Sequence, residues 1–169
     1  MSIIFRCDPP RLTQTAHLTT NTLSGLVGRN PGNLAFGYAT ALLLNTSESI
    51  TFFEKIRENE TIGVYACANL LGAHYDPSFF TNFLNQAPSN WRALLLGLGA
   101  QGPMNTLSDS VENISLNDKQ LAWLDAVRER APKGHPNIAV RGNFTYQLLQ
   151  KYGYGNSAMV TGRKIFSNR

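Results

Sequence analysis

The feature that most constrains this chain is the alternation of short apolar runs with longer stretches of helical periodicity. Apolar runs stand at residues 61–67, 93–96, 138–140 and 158–161. They are short and bounded by turn residues, which is typical of strands buried on both faces. Helical stretches of roughly 10 to 14 residues separate them. The pattern predicts an open, parallel, Rossmann-like α/β sheet with helices on both faces.

The beginning of the chain lacks this alternation. Residues 1–30 are rich in Thr, Asn and Ser and show neither the period of a strand nor that of a helix. We expect a weakly ordered lead-in there, with room for one edge strand, and a single α/β domain over residues 31–169. That domain opens with a helix over 34–44, capped by Asn33. Because this segment is almost entirely apolar, we expect the helix to be buried all round.

Three more helices are indicated by capping residues. Asp76 and Pro77 begin the first, and its apolar side carries Phe79, Phe80, Phe83 and Leu84. Ser115, with Asp118 three residues later, resembles a capping box for the second. Asn143 is the expected cap of the third.

Charge and cysteine content exclude several classes of protein. The 15 Lys and Arg against 11 Asp and Glu give a net charge of +4 that forms no basic stripe, which argues against nucleic acid as a partner. Cys7 and Cys67 lie far apart without a Cys-x-x-Cys spacing, which argues against a disulfide framework and a metal site. No apolar run approaches the roughly 20 residues of a membrane span, and none at the N-terminus resembles a signal peptide. We expect a cytoplasmic protein without a cofactor.

Polar residues follow three of the predicted strands. Ligands of open α/β sheets bind outside the carboxyl ends of the strands. There the first segment offers Asn69 and His74, the second Gly99 and Gln101, and the third Arg141. Parallel strands would bring these residues to one edge of the sheet.

Each of these residues has two interpretations. Arg141 is placed to donate two hydrogen bonds to a phosphate or carboxylate group of a ligand. It could equally form an ion pair with an acidic residue of the chain or face solvent. His74 could act as an acid or base near neutral pH, although a lone loop histidine is more often a structural hydrogen-bonding residue. Gly32 and Asn33 either bind an anion at a helix N-terminus or form an ordinary helix cap.

The segment from Gly97 to Gly102 matches the Gly-x-Gly-x-x-Gly dinucleotide pattern after a predicted strand. Pro103 and the polar residues after it delay the helix that this pattern requires, and no acidic strand end follows. We interpret these glycines as permitting a close backbone approach, while a nucleotide-dependent oxidoreductase stays an alternative.

Taken together, the strand-end segments resemble the polysaccharide pyruvyl transferase family. The matching stretches are GNLAF at 32–36, ANLLGAHYD at 68–76, GLGAQ at 97–101 and IAVRGNFT at 138–145. Their order and spacing are those of the family, and the resemblance runs from about residue 28 to residue 162. At its end the pattern departs, because Gly162 precedes Arg163 where the family has a Cys-Pro-Ser sequence.

The resemblance implies a fold and an activity. Such proteins are two-lobed, glycosyltransferase B-type enzymes that transfer a pyruvyl group from phosphoenolpyruvate to a sugar hydroxyl of a cell-surface polysaccharide or exopolysaccharide, forming a ketal. Arg141 lies in the family's Val-Arg motif, which implies contact with donor or acceptor, and His74 is the second catalytic candidate. Gly32, Asn33, Asn69, Gly99 and Gln101 lie at motif positions and are the other candidates for substrate binding.

The resemblance covers the N-terminal lobe alone. We therefore expect a truncated, impaired transferase, completed by a second chain or self-associating through an apolar patch around its last strand. A non-catalytic α/β module that binds an anion or sugar nucleotide is the alternative from a different class.

Overall fold

Five parallel strands form one sheet in the computed structural model, which describes residues 2–7, 17–26, 32–45, 61–67, 69–72, 75–101 and 111–161. The strands lie side by side in chain order. They are β1 (Ser2–Cys7), β2 (Thr61–Ala66), β3 (Arg92–Leu98), β4 (Ile138–Val140) and β5 (Ala158–Val160). The parallel α/β sheet expected from the apolar runs is confirmed, and β1 is an edge strand within the segment interpreted as a lead-in.

Helices precede or follow each strand. They are α1 (Thr20–Leu26), α2 (Gly32–Leu43), α3 (Ser78–Gln86), α4 (Asp118–Glu129) and α5 (Asn143–Lys151), with a 3₁₀ turn at Gly155–Ser157 before β5. Within the described ranges, no helix is long and apolar enough to cross a membrane.

The two faces of the sheet carry different helices. Tyr65, Leu95 and Ile138 lie opposite one another in register, and they belong to the main core together with residues of α3, α4 and α5. Successive residues of a strand point to opposite faces. Ala66 therefore faces the other way, where it packs with Ala41 of α2. Helices on both faces are thus confirmed.

Aromatic rings fill the main core. Phe83 meets Trp91 edge to face at 5.1 Å between ring centroids, and Phe80 meets Trp123 in the same way at 6.2 Å. Both tryptophans are almost completely buried. Rings of this size remove a large apolar area from water and so stabilise the packing of α3 and α4 on β3.

The strand order runs straight from β1 to β5 without reversal. In a doubly wound sheet the order reverses at a switch point, and the ligand crevice opens there. Among the described strands no such point exists. A ligand site is therefore expected where the loops that follow neighbouring strands meet.

Helix α2 departs from its expected burial. Tyr38, Leu42 and Leu43 are 50%, 63% and 74% exposed, whereas Thr40 and Ala41 are buried. The helix lies on the sheet by one side only, so its apolar sequence does not imply burial all round. On the predicted apolar side of α3, Phe80, Phe83 and Leu84 are buried, whereas Phe79 is 58% exposed and lies outside the core.

Four helix starts also differ from expectation by a residue or more. The capping box of α4 is formed by Asn117 and Gln120, not by Ser115 and Asp118. Helix α5 has Gly142 as its N-cap, so Asn143 is its first helical residue. Asn33 likewise lies inside the first turn of α2. Helix α3 has Pro77 as its N-cap, without a side-chain capping bond, so Asp76 lies one residue before the cap and Pro77 lies outside the first turn. Asp76 still contacts the helix start, since its Oδ1 accepts the Ser78 backbone N–H at 2.9 Å.

Candidate functional site

Backbone hydrogen bonds join the loops that follow β2, β3 and β4. The Leu71 N–H donates to the Gly99 carbonyl at 3.1 Å, and the Gln101 N–H donates to the Leu71 carbonyl at 3.1 Å. The Arg141 N–H donates to the Leu98 carbonyl, also at 3.1 Å. These bonds continue the parallel pairing beyond the strands, so the three loops are fixed at one edge of the sheet.

Arg141 and Asn69 meet at that edge. Nη2 of Arg141 donates a hydrogen bond to Oδ1 of Asn69, across 72 residues of sequence. Arg141 is exposed and Asn69 half-buried. The partner of Arg141 is therefore a neutral amide, and the positive charge of the guanidinium remains at the surface.

Gly99 lies directly beneath this pair. A Cβ at position 99 would lie 2.6 Å from Oδ1 of Asn69 and 2.7 Å from Nη2 of Arg141. Real Cβ atoms do not approach other atoms so closely. The absence of a side chain at position 99 is therefore what allows the two polar groups to meet above the end of β3.

Gly97 lies against Phe36 of α2. Its φ is +73°, which favours glycine, and a Cβ there would collide with the ring of Phe36. The first two glycines of the dinucleotide pattern thus accommodate side chains of this chain itself. Gly102 lies outside the described residues.

Thr145 is a residue of the edge that sequence reasoning missed. Its buried side chain accepts the Ala100 backbone N–H through Oγ1 at 3.0 Å. The bond ties the first turn of α5 to the loop after β3. The only sequence signal for it was its place in the fourth matching stretch, 138–145.

Helix α5 begins at the same edge. Its N-cap, Gly142, has no side chain with which to cap the first turn. The first N–H groups of a helix lack partners within the helix and carry partial positive charge. They add to the positive potential that Arg141 creates next to them in the sequence.

Cys67 lies at the end of β2 and is fully buried. Burial raises the pKa of its thiol far above the ordinary value, while the Leu96 backbone hydrogen bond and the charge of Arg141 oppose that shift. Its Sγ donates to the Tyr65 carbonyl at 3.3 Å. The thiol is therefore protonated at neutral pH and is not a nucleophile.

The loop after β2 is also held from α4. Nε2 of Gln120, a buried residue, donates to the Gly72 carbonyl at 2.7 Å. Nearby, Nζ of Lys119 lies 2.5 Å from Oδ2 of Asp76. The hydrogen bond from Lys119 and those from Ser78 hold the pKa of the Asp76 carboxyl well below its usual range.

The other expected site residues have different surroundings. Gln101 is exposed at the edge, one residue beyond the bridge between Leu71 and Ala100. Gly32 begins α2, with Asn33 next to it, on the face of the sheet that α2 covers. His74 lies outside the described residues. The structure thus joins Asn69, Gly99 and Arg141 in one cluster.

A metal site has no support in the described part of the chain, where no three His, Cys, Asp or Glu side chains cluster suitably. Comparisons with protein-family models, curated proteins and solved structures find no match for this chain.

Proposed function

We propose that this chain is a polysaccharide pyruvyl transferase-like protein that binds phosphoenolpyruvate at the carboxyl edge of its sheet, with Arg141 as the contact for an oxyanion. The single observation that carries the proposal is the cluster of Asn69, Gly99 and Arg141 at the ends of neighbouring parallel strands. A guanidinium matches the geometry of carboxylate and phosphate oxygens, both of which phosphoenolpyruvate carries.

The proposed reaction makes specific demands on such a site. Two sugar hydroxyl oxygens bond to C2 of phosphoenolpyruvate, the bond from C2 to the phosphate oxygen breaks, and the methylene carbon gains a proton. One hydroxyl proton becomes part of the new methyl group, and the other leaves with the phosphate. Arg141 would hold the donor and offset the charge of the departing phosphate, and His74 is the proposed acid or base.

A non-catalytic oxyanion-binding module is the second candidate, and one observation favours it. The described side chains at the edge are suited to binding and not to proton transfer. Arginine stays protonated, asparagine and glutamine do not titrate, and the thiol of Cys67 is buried in its neutral form. No observation favours the oxidoreductase alternative.

Calorimetric titration with phosphoenolpyruvate tests the binding part of the proposal. Arg141→Ala removes a charge-assisted contact worth about 1.5 to 3 kcal/mol, which weakens binding by roughly 10- to 150-fold. Arg92→Ala is the matched control, because Arg92 begins β3 at the opposite edge and carries the same charge. Equal losses in both variants would show that only net charge attracts the ligand and would contradict the proposal.

The catalytic part needs its own assay. Inorganic phosphate released from phosphoenolpyruvate in the presence of polysaccharide acceptors, together with the ketal methyl signal in proton NMR, reports transfer. Arg141-dependent binding without phosphate release or ketal formation would favour the binding module over the transferase.

A further inference from the structure

In the contact between Arg141 and Asn69, the asparagine is held more firmly than the arginine. Arg141 is an exposed residue with a long side chain. Asn69 belongs to a loop held before it by the bond from the Cys67 N–H to the Leu96 carbonyl, and after it by the backbone bonds of Leu71 and the bond from Gln120 to Gly72. The loop therefore determines where Asn69 lies, and Asn69 determines where the guanidinium lies.

We propose that Asn69 is a positioning residue, which holds the guanidinium of Arg141 above Gly99 in the orientation that receives an oxyanion without cancelling its charge. The inference rests on the proposed role of Arg141 as the oxyanion contact. A guanidinium has five N–H donors in a rigid fork. With Nη2 donating to Asn69, the position of the whole fork is set before the ligand arrives, so less conformational entropy is lost on binding.

The chemical type of residue at position 69 is central to this inference. An aspartate has nearly the same shape and would accept the same hydrogen bond. Its carboxylate, however, would form an ion pair with Arg141 and compete with the ligand for the guanidinium. Only a neutral acceptor combines a fixed geometry with an undiminished positive charge.

Gly99 supplies independent geometric support. Its missing side chain leaves space for Asn69 Oδ1 and Arg141 Nη2, each of which would otherwise lie under 3 Å from a Cβ. A methyl group at position 99 would push the two groups apart. The end of β3 is thus shaped around this hydrogen bond.

Calorimetric titration with inorganic phosphate, and separately with phosphoenolpyruvate, tests the inference on the full chain. Asn69→Asp is expected to weaken both affinities about tenfold or more, at an unchanged or higher melting temperature. Asn69→Ala should weaken them less, because it frees the arginine but leaves its charge intact. In the Arg141→Ala background, Asn69→Ala should cause little further loss, since coupled residues are not additive.

A merely structural role predicts a different result. Asn69→Ala would then lower the melting temperature and leave both affinities of the folded chain unchanged, and this result would overturn the inference. Asn69→Asp places a negative charge beside the anion under either role, so Asn69→Ala is the decisive variant.

The outcomes also separate this inference from the proposed function. If Arg141→Ala weakens binding and Asn69→Ala does not, the positioning role alone is wrong. If Arg141→Ala has no effect, or neither anion binds the unmodified chain, the oxyanion contact is wrong and the positioning role falls with it. Asn69-dependent binding without pyruvyl transfer would leave the inference standing and refute only the transferase activity.

Discussion

Individual glycines decide how closely other side chains approach the end of β3. Gly97 and Gly99 are two residues apart, yet the space left by the first holds the ring of Phe36 and the space left by the second holds polar groups of the edge. A backbone without side chains at these positions loses some packing of its own. The missing side chains also allow residues of other elements to contact the backbone directly.

Gly97→Ala tests how much the missing side chain at position 97 contributes to stability. The substitution combines an unfavourable φ of +73° with a collision against Phe36, and we expect a loss of about 2 to 3 kcal/mol in the free energy of unfolding. Urea denaturation measures it.

Two matched controls divide that loss into its causes. Gly134→Ala has the same strain, with φ at +77°, and no atom within 4 Å, so it should cost about 1 kcal/mol. Gly25→Ala, in helix α1 with open space around it, should be neutral or stabilising by less than about 1 kcal/mol. If Gly97→Ala costs no more than Gly134→Ala, the packing against Phe36 contributes nothing.

At the level of elements, the start of α4 is fixed by Asn117. Its Oδ1 accepts the Gln120 N–H at 3.0 Å, and the Gln120 side chain accepts the Asn117 N–H at 3.3 Å. Asn117→Ala should therefore destabilise the protein by about 1 kcal/mol. Ser115→Ala, the matched control, should change stability by less than about 0.5 kcal/mol. Thermal unfolding that shows the larger loss for Ser115→Ala would contradict this assignment of the cap.

The same helix shows what local sequence patterns could predict. Strands β2 to β5 and helices α3 to α5 were expected near their observed positions, because apolar runs and capping residues are local signals. The spacing of Asn117 and Gln120 is also that of a capping box, so the local pattern allows two starts for α4. The burial of Gln120 and its bond to Gly72, which no local pattern reveals, distinguish the two.

The candidate site also combines features that local sequence patterns predict with features that they do not. Asn69, Gln101 and Arg141 were placed at one edge because parallel strands end together. The hydrogen bond between Asn69 and Arg141, the steric role of Gly99 and the contact of Thr145 depend on side-chain positions across distant segments. Such contacts follow from packing and could not be predicted from strand ends alone.

On the scale of the whole molecule, the described helices cover the two faces of the sheet unequally. Three helices pack on the main core, whereas α2 covers the other face and exposes Tyr38, Leu42 and Leu43. Met159 of the last strand is also 46% exposed. Adjacent apolar side chains of this kind favour association in water.

We expect this chain to self-associate as its concentration rises, as judged by sedimentation velocity. The double substitution Leu42→Lys with Leu43→Lys should shift the molecule toward the monomer. Phe79→Lys removes one exposed apolar side chain from α3, on the other face, and should have a smaller effect. A chain that is monomeric at all concentrations, or an equal effect of Phe79→Lys, would refute this expectation.

The central claim is that parallel strands gather Asn69, Gly99 and Arg141 into one oxyanion site. Titration of inorganic phosphate into ¹⁵N-labelled protein, followed by amide chemical shifts, tests it most directly. The account predicts shifts confined to the strand-end loops, at residues 69–72, 99–101 and 141–146. Shifts concentrated at the opposite edge, at residues 88–91 and 130–137, or no saturable shift at all, would contradict it.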